Sequence, residues 1–153
     1  MSCKLHLAVD GHGRPLSIVV TAGQRHQSTQ LQRLLDGIRV PRPGRVGRPR
    51  KRPAHLIADR GYAYMSCRGL LRRRGIGHTI PERSDQQAAR ARRGSRGGRP
   101  PGFDRDRYRQ RNVVERAFNR LKQWRAVATR YDKRAANYRA GVVLAALILW
   151  MPT

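Results

Sequence analysis

Four polar residues recur at helical spacing in the last third of the chain. Tyr108, Arg111, Glu115 and Lys122 are separated by three, four and seven residues. Because four and seven residues are close to one and two helical turns, this spacing predicts a single stripe on one helix. The stripe could hold an acid among cations that bind phosphate. It could also be a solvated face with ion pairs one turn apart.

A second informative acid, Asp59, follows the short apolar segment 55–58. This segment predicts a buried strand, and sites in α/β proteins usually form where strands end. The Asp59 carboxylate could bind a divalent cation through its oxygens, or it could cap the turn that follows. Acids are scarce in this chain, with 9 Asp and Glu against 34 Lys and Arg, so the position of each one matters.

The elements that must position these residues can be read from the apolar pattern. Alternation from Lys4 to Thr21, interrupted by the turn residues 10–13, predicts a β-hairpin. Ser28 predicts the N-cap of a helix that ends at Gly37. A strand over 55–58, a helix over 65–74 and a strand over 76–80 predict a parallel pair in an α/β sheet. Further helices are predicted from Tyr108 to about Tyr131 and over 136–150.

The segment at about 41–53, rich in Pro, Gly and Arg, predicts a basic loop. A second basic segment at about 86–102, rich in Gly and Arg, predicts a loop that stays mobile without a partner. In the first, Gly47-Arg48-Pro49 lies beside Arg50, Lys51 and Arg52. Arginine next to Gly and Pro in this pattern could read a narrow minor groove, contact phosphates without sequence preference, or remain solvated. Trp124 and Tyr131 could stack on bases, although core packing is the favoured prediction for Trp124.

The net charge of +25 favours nucleic acid as the partner over a membrane surface. The longest apolar run, 140–151, is shorter than the ~20 residues that span a bilayer. The two cysteines, Cys3 and Cys67, lack the neighbours of a zinc site and indicate free thiols in a reducing compartment. We therefore expect a cytoplasmic protein that binds nucleic acid.

The pattern Tyr108-x2-Arg111-x3-Glu115-x6-Lys122 resembles the Y-x2-R-x3-E-x6-K motif of insertion-sequence DDE transposases of the IS-four/IS-five type. Asp59-Arg60-Gly61-Tyr62, the hairpin and the segment 21–24 are also similar to that family, so the resemblance covers nearly the whole chain. It implies an RNase H-like mixed sheet flanked by helices, three carboxylates holding two Mg²⁺ ions, and metal-dependent cleavage and transfer of DNA strands.

By this resemblance, Asp59 and Glu115 are catalytic metal ligands, Arg111 and Lys122 hold DNA phosphates, and Tyr108 helps to position the strand. We expect the Asp59 and Glu115 carboxyls to lie within ~8 Å, so that they can share a metal pair spaced ~4 Å apart. Binding to transposon ends and target DNA, and formation of a homo-oligomer, are further expectations.

The resemblance places the family's first Asp on a strand upstream of Lys4, so residues 1–153 are expected to form a partial domain that is incomplete at its N-terminus. Asp10, the nearest acid, lies in the hairpin turn and is a poor substitute. A polypeptide from an upstream reading frame could supply the missing Asp. The alternatives are a noncatalytic DNA-binding remnant of a transposase and, less favoured, a basic RNA-binding protein.

Overall fold

A computed structural model describes residues 3–42, 44, 47–129, 132 and 134–151. Tyr131 and residues 43, 45 and 46 of the first basic segment lie outside the described residues. The chain divides into two compact units. Unit 1 comprises Met1–Arg52 and Asn112–Thr153, and unit 2 comprises Pro53–Arg111.

The structure contains both strands and helices, as predicted for a mixed α/β chain. The described strands are β1 (Cys3–Val9), β2 (Pro15–Ala22), β3 (His55–Ile57) and β4 (Gly77–Thr79). The described α-helices are α1 (Leu31–Asp36), α2 (Met65–Arg73), α3 (Ser84–Arg92), α4 (Arg105–Arg109), α5 (Asn112–Lys122), α6 (Arg125–Thr129) and α7 (Ala135–Ile148). The described strands form two separate two-stranded sheets instead of the one mixed sheet of the prediction.

Unit 1 is built on the predicted hairpin, which is confirmed. Strands β1 and β2 pair antiparallel, with Leu5 opposite Val20 and Leu7 opposite Ile18. Because side chains alternate across a strand, these four share one face of the hairpin. That face packs against a buried cluster formed by α5, α6 and α7: Leu121, Val127, Tyr138, Val142, Ala145 and Ala146.

Helix α1 covers the opposite face of the hairpin. A Cβ added at Gly37, the C-cap of α1, would collide with the Ser17 hydroxyl of β2. Gly37 therefore ends the helix, as predicted, and also permits its close approach to the strand. The prediction of Ser28 as the N-cap of this helix is wrong, because Ser28 lies in a 3₁₀ turn over Gln27–Gln30. His26 is the N-cap of that turn, and Gln30 is the N-cap of α1.

Unit 2 contains the predicted strand–helix–strand element. Strands β3 and β4 pair parallel, with Leu56 opposite His78, and α2 connects them. Helix α2 ends at Gly75, whose φ of 62° is the left-handed conformation that glycine adopts without strain. Arg68 of α2 is 4% exposed, and its Nη2 donates a hydrogen bond of 2.8 Å to the Ile80 carbonyl oxygen.

The prediction of a mobile basic loop over 86–102 is wrong in its first half. Residues Ser84–Arg92 form α3, and a 3₁₀ turn over Gly94–Gly97 follows. Three alanines and two glutamines favour the helix, and Arg90 forms a salt bridge of 2.6 Å with Glu82. Only glycine fits at position 97, because a Cβ there would collide with the Arg90 carbonyl oxygen.

The predicted single helix from Tyr108 to Tyr131 is also wrong, since it is divided into α4, α5 and α6. Gln110 and Arg111 form a turn between α4 and α5, in which their N–H groups bond three residues back, to Arg107 and Tyr108. None of the described residues of α4 is buried, whereas α5 buries Ala117 and Leu121 in unit 1. The two segments therefore belong to different packing environments, and the chain bends between them.

The C-terminal helix α7 has 14 residues, close to the predicted span. Across the described parts of the chain, no helix has the length and hydropathy needed to cross a membrane.

Candidate active site and nucleic-acid interface

Asp59 lies where the sequence predicts, directly beyond the end of β3 in unit 2. It is the N-cap of a 3₁₀ turn over Arg60–Tyr62, and its Oδ1 accepts a hydrogen bond of 2.9 Å from the Gly61 backbone N–H. The two interpretations of this acid are thus compatible, because the strand-end carboxylate also caps the turn.

Tyr62 completes the environment of Asp59. Burial raises the pKa of the Tyr62 phenol to about 12, and the nearby negative charge of Asp59 acts in the same direction. The phenol therefore stays protonated at physiological pH and can act as a hydrogen-bond donor beside the carboxylate. The sequence marked Tyr62 only as part of a motif, since its burial depends on packing that no local pattern shows.

An open cavity of about 330 Å³ begins at the residue after Asp59. It is lined by Arg60, Gly61, Arg83, Ser84 and Asp85. Arg83 is held by hydrogen bonds of 2.7 Å to the Tyr64 hydroxyl and 3.0 Å to Asp85, and its guanidinium stacks on the Tyr64 ring at 5.5 Å. This arrangement presents two arginines, Arg60 and Arg83, in one cavity, a feature that sequence reasoning missed.

The four residues of the predicted stripe are divided between the two units. In unit 2, the Arg111 guanidinium lies 5.6 Å from the centre of the Tyr108 ring, which in turn lies 5.2 Å from the Phe103 ring. In unit 1, Glu115 and Lys122 are exposed on α5, seven residues apart and thus on one face of that helix. Glu115 lies in the first turn, where a carboxylate interacts favourably with the helix dipole.

Asp59 belongs to unit 2 and Glu115 to unit 1. The convergence of their carboxyls within ~8 Å, the spacing expected around a shared metal pair, therefore stays a prediction.

The described residues do not by themselves make a two-metal site. Asp59 and Glu115 offer the oxygen donors that Mg²⁺ prefers. However, within the described ranges no group of three or more His, Cys, Asp or Glu could hold a metal ion. The residues thus fit part of the expected ligand set and leave it incomplete.

Asp10, the poor substitute for the missing ligand, is held in the hairpin turn by its own contacts. Its Oδ1 accepts hydrogen bonds of 2.9 Å from the N–H groups of His12 and Arg14, and its Oδ2 forms a salt bridge of 2.8 Å with Arg14. Burial alone would raise the pKa of Asp10, but the hydrogen bonds from Arg14 and His12 outweigh burial and lower it. Asp10 therefore stabilises the turn, as its predicted position indicated.

Two residues, Val40 and Arg50, pair across the first basic segment. Val40 and Arg50 exchange backbone hydrogen bonds of 2.9 and 2.8 Å. Arg48, Arg50, Lys51 and Arg52, the predicted DNA-binding residues of this loop, are all exposed. The closed base limits the freedom of the loop, which lowers the entropy lost when it binds a partner.

Trp124 departs from its prediction. It is 44% exposed in the turn between α5 and α6 and is not a core residue. Its backbone instead organises that turn, because the Trp124 carbonyl accepts hydrogen bonds of 2.9 Å from both Val127 and Ala128.

Comparisons with known proteins agree with these features. The chain is 34% identical over 148 residues to a protein assigned as the transposase for insertion sequence element IS402 of Burkholderia cepacia, covering 96% of this chain and 62% of that relative. It is 28% identical over 155 residues to the protein assigned as the transposase for element IS6501 of Brucella ovis, covering 99% of both chains. This chain thus spans less than two thirds of the IS402 relative's length. No solved structure matches it significantly.

The sequence profile of the transposase DDE domain matches residues 1–151, so the chain belongs to the transposase DDE domain family.

Proposed function

We propose that this chain acts in DNA transposition as the C-terminal part of the catalytic domain of an insertion-sequence transposase of the IS-four/IS-five type. The observation that carries the proposal is the family match over residues 1–151, which includes Asp59 at the end of a parallel strand. Neither alternative, the noncatalytic remnant nor the basic RNA-binding protein, is favoured by the comparisons.

An RNase H-like arrangement is the fold we propose for the completed domain. Two features support it: an antiparallel hairpin early in the chain and a parallel β3–α2–β4 element after it. In such a domain Asp59 and Glu115 would bind Mg²⁺, which when bound activates the attacking oxygen and stabilises the leaving oxygen of a phosphodiester. Arg111 and Lys122 would hold DNA phosphates, and Tyr108 would position the strand.

We further infer that the third carboxylate comes from a polypeptide encoded upstream. The contacts that hold Asp10 in its turn support this inference. We propose that the complex binds transposon ends and target DNA as an oligomer, in the bacterial cytoplasm and at the nucleoid.

The test combines this chain with the upstream polypeptide and a labelled DNA duplex that carries a transposon end, in Mg²⁺. Strand cleavage should require both polypeptides. Asp59→Asn and Glu115→Gln should each reduce the cleavage rate by on the order of 10³-fold. Asp106→Asn is the matched control, because Asp106 is an exposed acid paired with Arg109 at 3.2 Å, and it should leave the rate unchanged.

Cleavage by this chain alone at the same rate would overturn the inference of a missing carboxylate. DNA binding without cleavage in the combined sample would overturn the catalytic proposal and leave a noncatalytic DNA-binding protein.

A further inference from the structure

An open groove runs along one edge of β2 in unit 1. Among the described strands, β2 pairs only with β1, so its second edge presents unpaired backbone groups. Six consecutive β2 residues, Pro15 to Val20, line a cavity of about 540 Å³. Because consecutive strand residues point to opposite faces, a cavity that contacts all six must lie along the backbone edge.

Helices α1 and α7 form the two walls of this groove. Gly37 of α1 approaches Ser17 on one face of β2, while Ile18 and Val20 on the other face pack against the cluster that α7 supplies. The walls extend beyond the strand and leave room beside it. The groove therefore has the shape that an added β-strand requires: an unpaired edge as its floor and a helix on each side.

We propose that this groove binds an extended, acidic segment of another protein, which joins the sheet as a third strand beside β2. Six lining residues correspond to a segment of about six residues, or roughly 20 Å. Backbone hydrogen bonds to the β2 edge would supply affinity, and alternating side chains would contact the two walls. The proposal does not depend on the catalytic function.

Charge determines the class of occupant. Of the described residues that line the groove, the charged ones are Arg33 of α1 and Arg139 of α7. A second copy of this chain also carries a net charge of +25, so the two copies would repel each other. An acidic segment would instead place carboxylates beside both arginines. An acidic segment is therefore favoured over self-association.

The α7 wall determines the second property of the segment. Val143, Leu147 and Trp150 line the groove, and Leu147 is 57% exposed. Leu144, Ile148 and Met151 continue this apolar surface along α7. Side chains directed toward the apolar part of α7 should therefore be apolar, and those near Arg33 or Arg139 acidic.

The groove is closed at one end by Trp150. Its indole N–H donates a hydrogen bond of 2.8 Å to the Pro15 carbonyl oxygen, and the Arg14 guanidinium lies 4.8 Å from the centre of the Trp150 ring. The Pro15 carbonyl is thus already bonded, so the added strand would pair with the alternate residues beyond it, beginning at Ser17.

The test uses the full chain and a fluorescent octapeptide of alternating Val and Glu, at physiological salt. A second peptide of equal charge, with Pro in place of two central Val residues, cannot form a strand and controls for attraction to the positive surface. In fluorescence anisotropy, the first peptide should bind at least about tenfold more tightly. Hydrogen exchange should show protection of β2 amides on binding.

Three variants locate the site, each checked for folding by circular dichroism. Arg33→Glu and Arg139→Glu at the walls, and Leu147→Lys on α7, should each weaken peptide binding about tenfold. Arg120→Glu, an exposed arginine of α5 outside the groove, makes the same charge change and should have less than a twofold effect.

Equal affinity for the two peptides, or binding without protection of β2, would overturn the proposal in favour of diffuse electrostatic attraction. Sedimentation of a dimer that Leu147→Lys dissociates, with no peptide binding, would overturn it in favour of a second copy.

Discussion

The Asp59 carboxylate accepts a hydrogen bond of 2.9 Å from the backbone N–H of Gly61. This contact holds the candidate catalytic acid in the turn that follows β3. It gives one residue two roles, in the local turn and in the proposed chemistry, and these roles respond differently to substitution. Conservative and nonconservative variants can therefore separate them.

Asp59→Asn should leave the free energy of unfolding within about 0.5 kcal/mol of the wild type, because Asn caps a helical turn as well as Asp does. Asp59→Ala should lower it by about 1 kcal/mol through loss of the cap. Urea denaturation monitored by circular dichroism measures both. If Asn destabilised the chain as much as Ala, the negative charge and not the cap would be the stabilising feature.

Removing the cations of the first basic loop should reduce the salt dependence of DNA binding. A variant with Arg48, Arg50, Lys51 and Arg52 replaced by Gln should bind duplex DNA with a slope of log K against log salt that is smaller by about 3. Anisotropy titrations between low and moderate salt measure this slope. A slope equal to that of the wild type would show that the loop does not contact phosphates.

A charge-preserving variant of the same loop separates minor-groove recognition from phosphate contact. Replacing Arg48, Arg50 and Arg52 by Lys keeps the charge but removes the arginine geometry that favours narrow minor grooves. The salt slope should be retained. Any preference for A·T-rich over G·C-rich duplexes should decrease only if the loop reads the minor groove.

Arg68 should contribute strongly to the stability of unit 2. It is 4% exposed and bonds the Ile80 carbonyl, and burial lowers its pKa although the charge of Glu82 opposes that shift. Arg68→Ala leaves a buried carbonyl unsatisfied and a cavity, so the free energy of unfolding should fall by about 3 kcal/mol. Arg72→Ala, at an exposed position of the same helix, should change it by less than about 0.5 kcal/mol. Equal effects would contradict the structural role of Arg68.

Stability should decrease as the pH falls below about 6.5, the unperturbed histidine value. Burial, reinforced by Lys4, lowers the pKa of His6, and burial with Arg107 and His78 lowers that of His55. In this range the unfolded chain binds protons that the folded chain does not, so protonation favours unfolding. The free energy of unfolding should therefore fall by at most about 1.4 kcal/mol per pH unit for each histidine.

His6→Gln should reduce this pH dependence, because Gln stays neutral and can still bond the Thr21 hydroxyl, which lies 2.9 Å from His6 Nε2. Denaturation at pH 7.5, 6.5 and 5.5 measures the effect. His12→Gln, at an exposed histidine of the hairpin turn, should reproduce the wild-type profile. An unchanged profile in His6→Gln would assign the pH dependence to other groups.

The elements that the sequence predicted correctly are those specified by nearby residues. Alternating Leu5 and Leu7 with the turn at Asp10 determine the hairpin, and Gly75 determines where α2 ends. Asp59 could be placed because a short apolar strand immediately precedes it. In each case the relevant interactions lie within a few residues of one another along the chain.

The elements that the sequence did not predict depend on distant contacts. Nothing local marks the turn at Gln110 and Arg111, which separates residues packed in different units. Helix α3 was missed because its Arg-rich composition suggested a loop, while the Glu82–Arg90 salt bridge depends on the folded structure. The groove beside β2 could not be predicted either, because α1 and α7, which form its walls, are distant from each other in the sequence.

The core of unit 1 joins the two ends of the chain, since Leu5 and Leu7 pack with Val142 and Trp150 bonds Pro15, 135 residues away. During synthesis at ~5–20 residues per second, the hairpin therefore waits roughly 7–27 s for α7 to be translated. Unit 2, a continuous segment, is complete earlier. The apolar face of the hairpin is exposed to solvent throughout that interval, so the yield of folded protein depends on how well nascent-chain chaperones shield it.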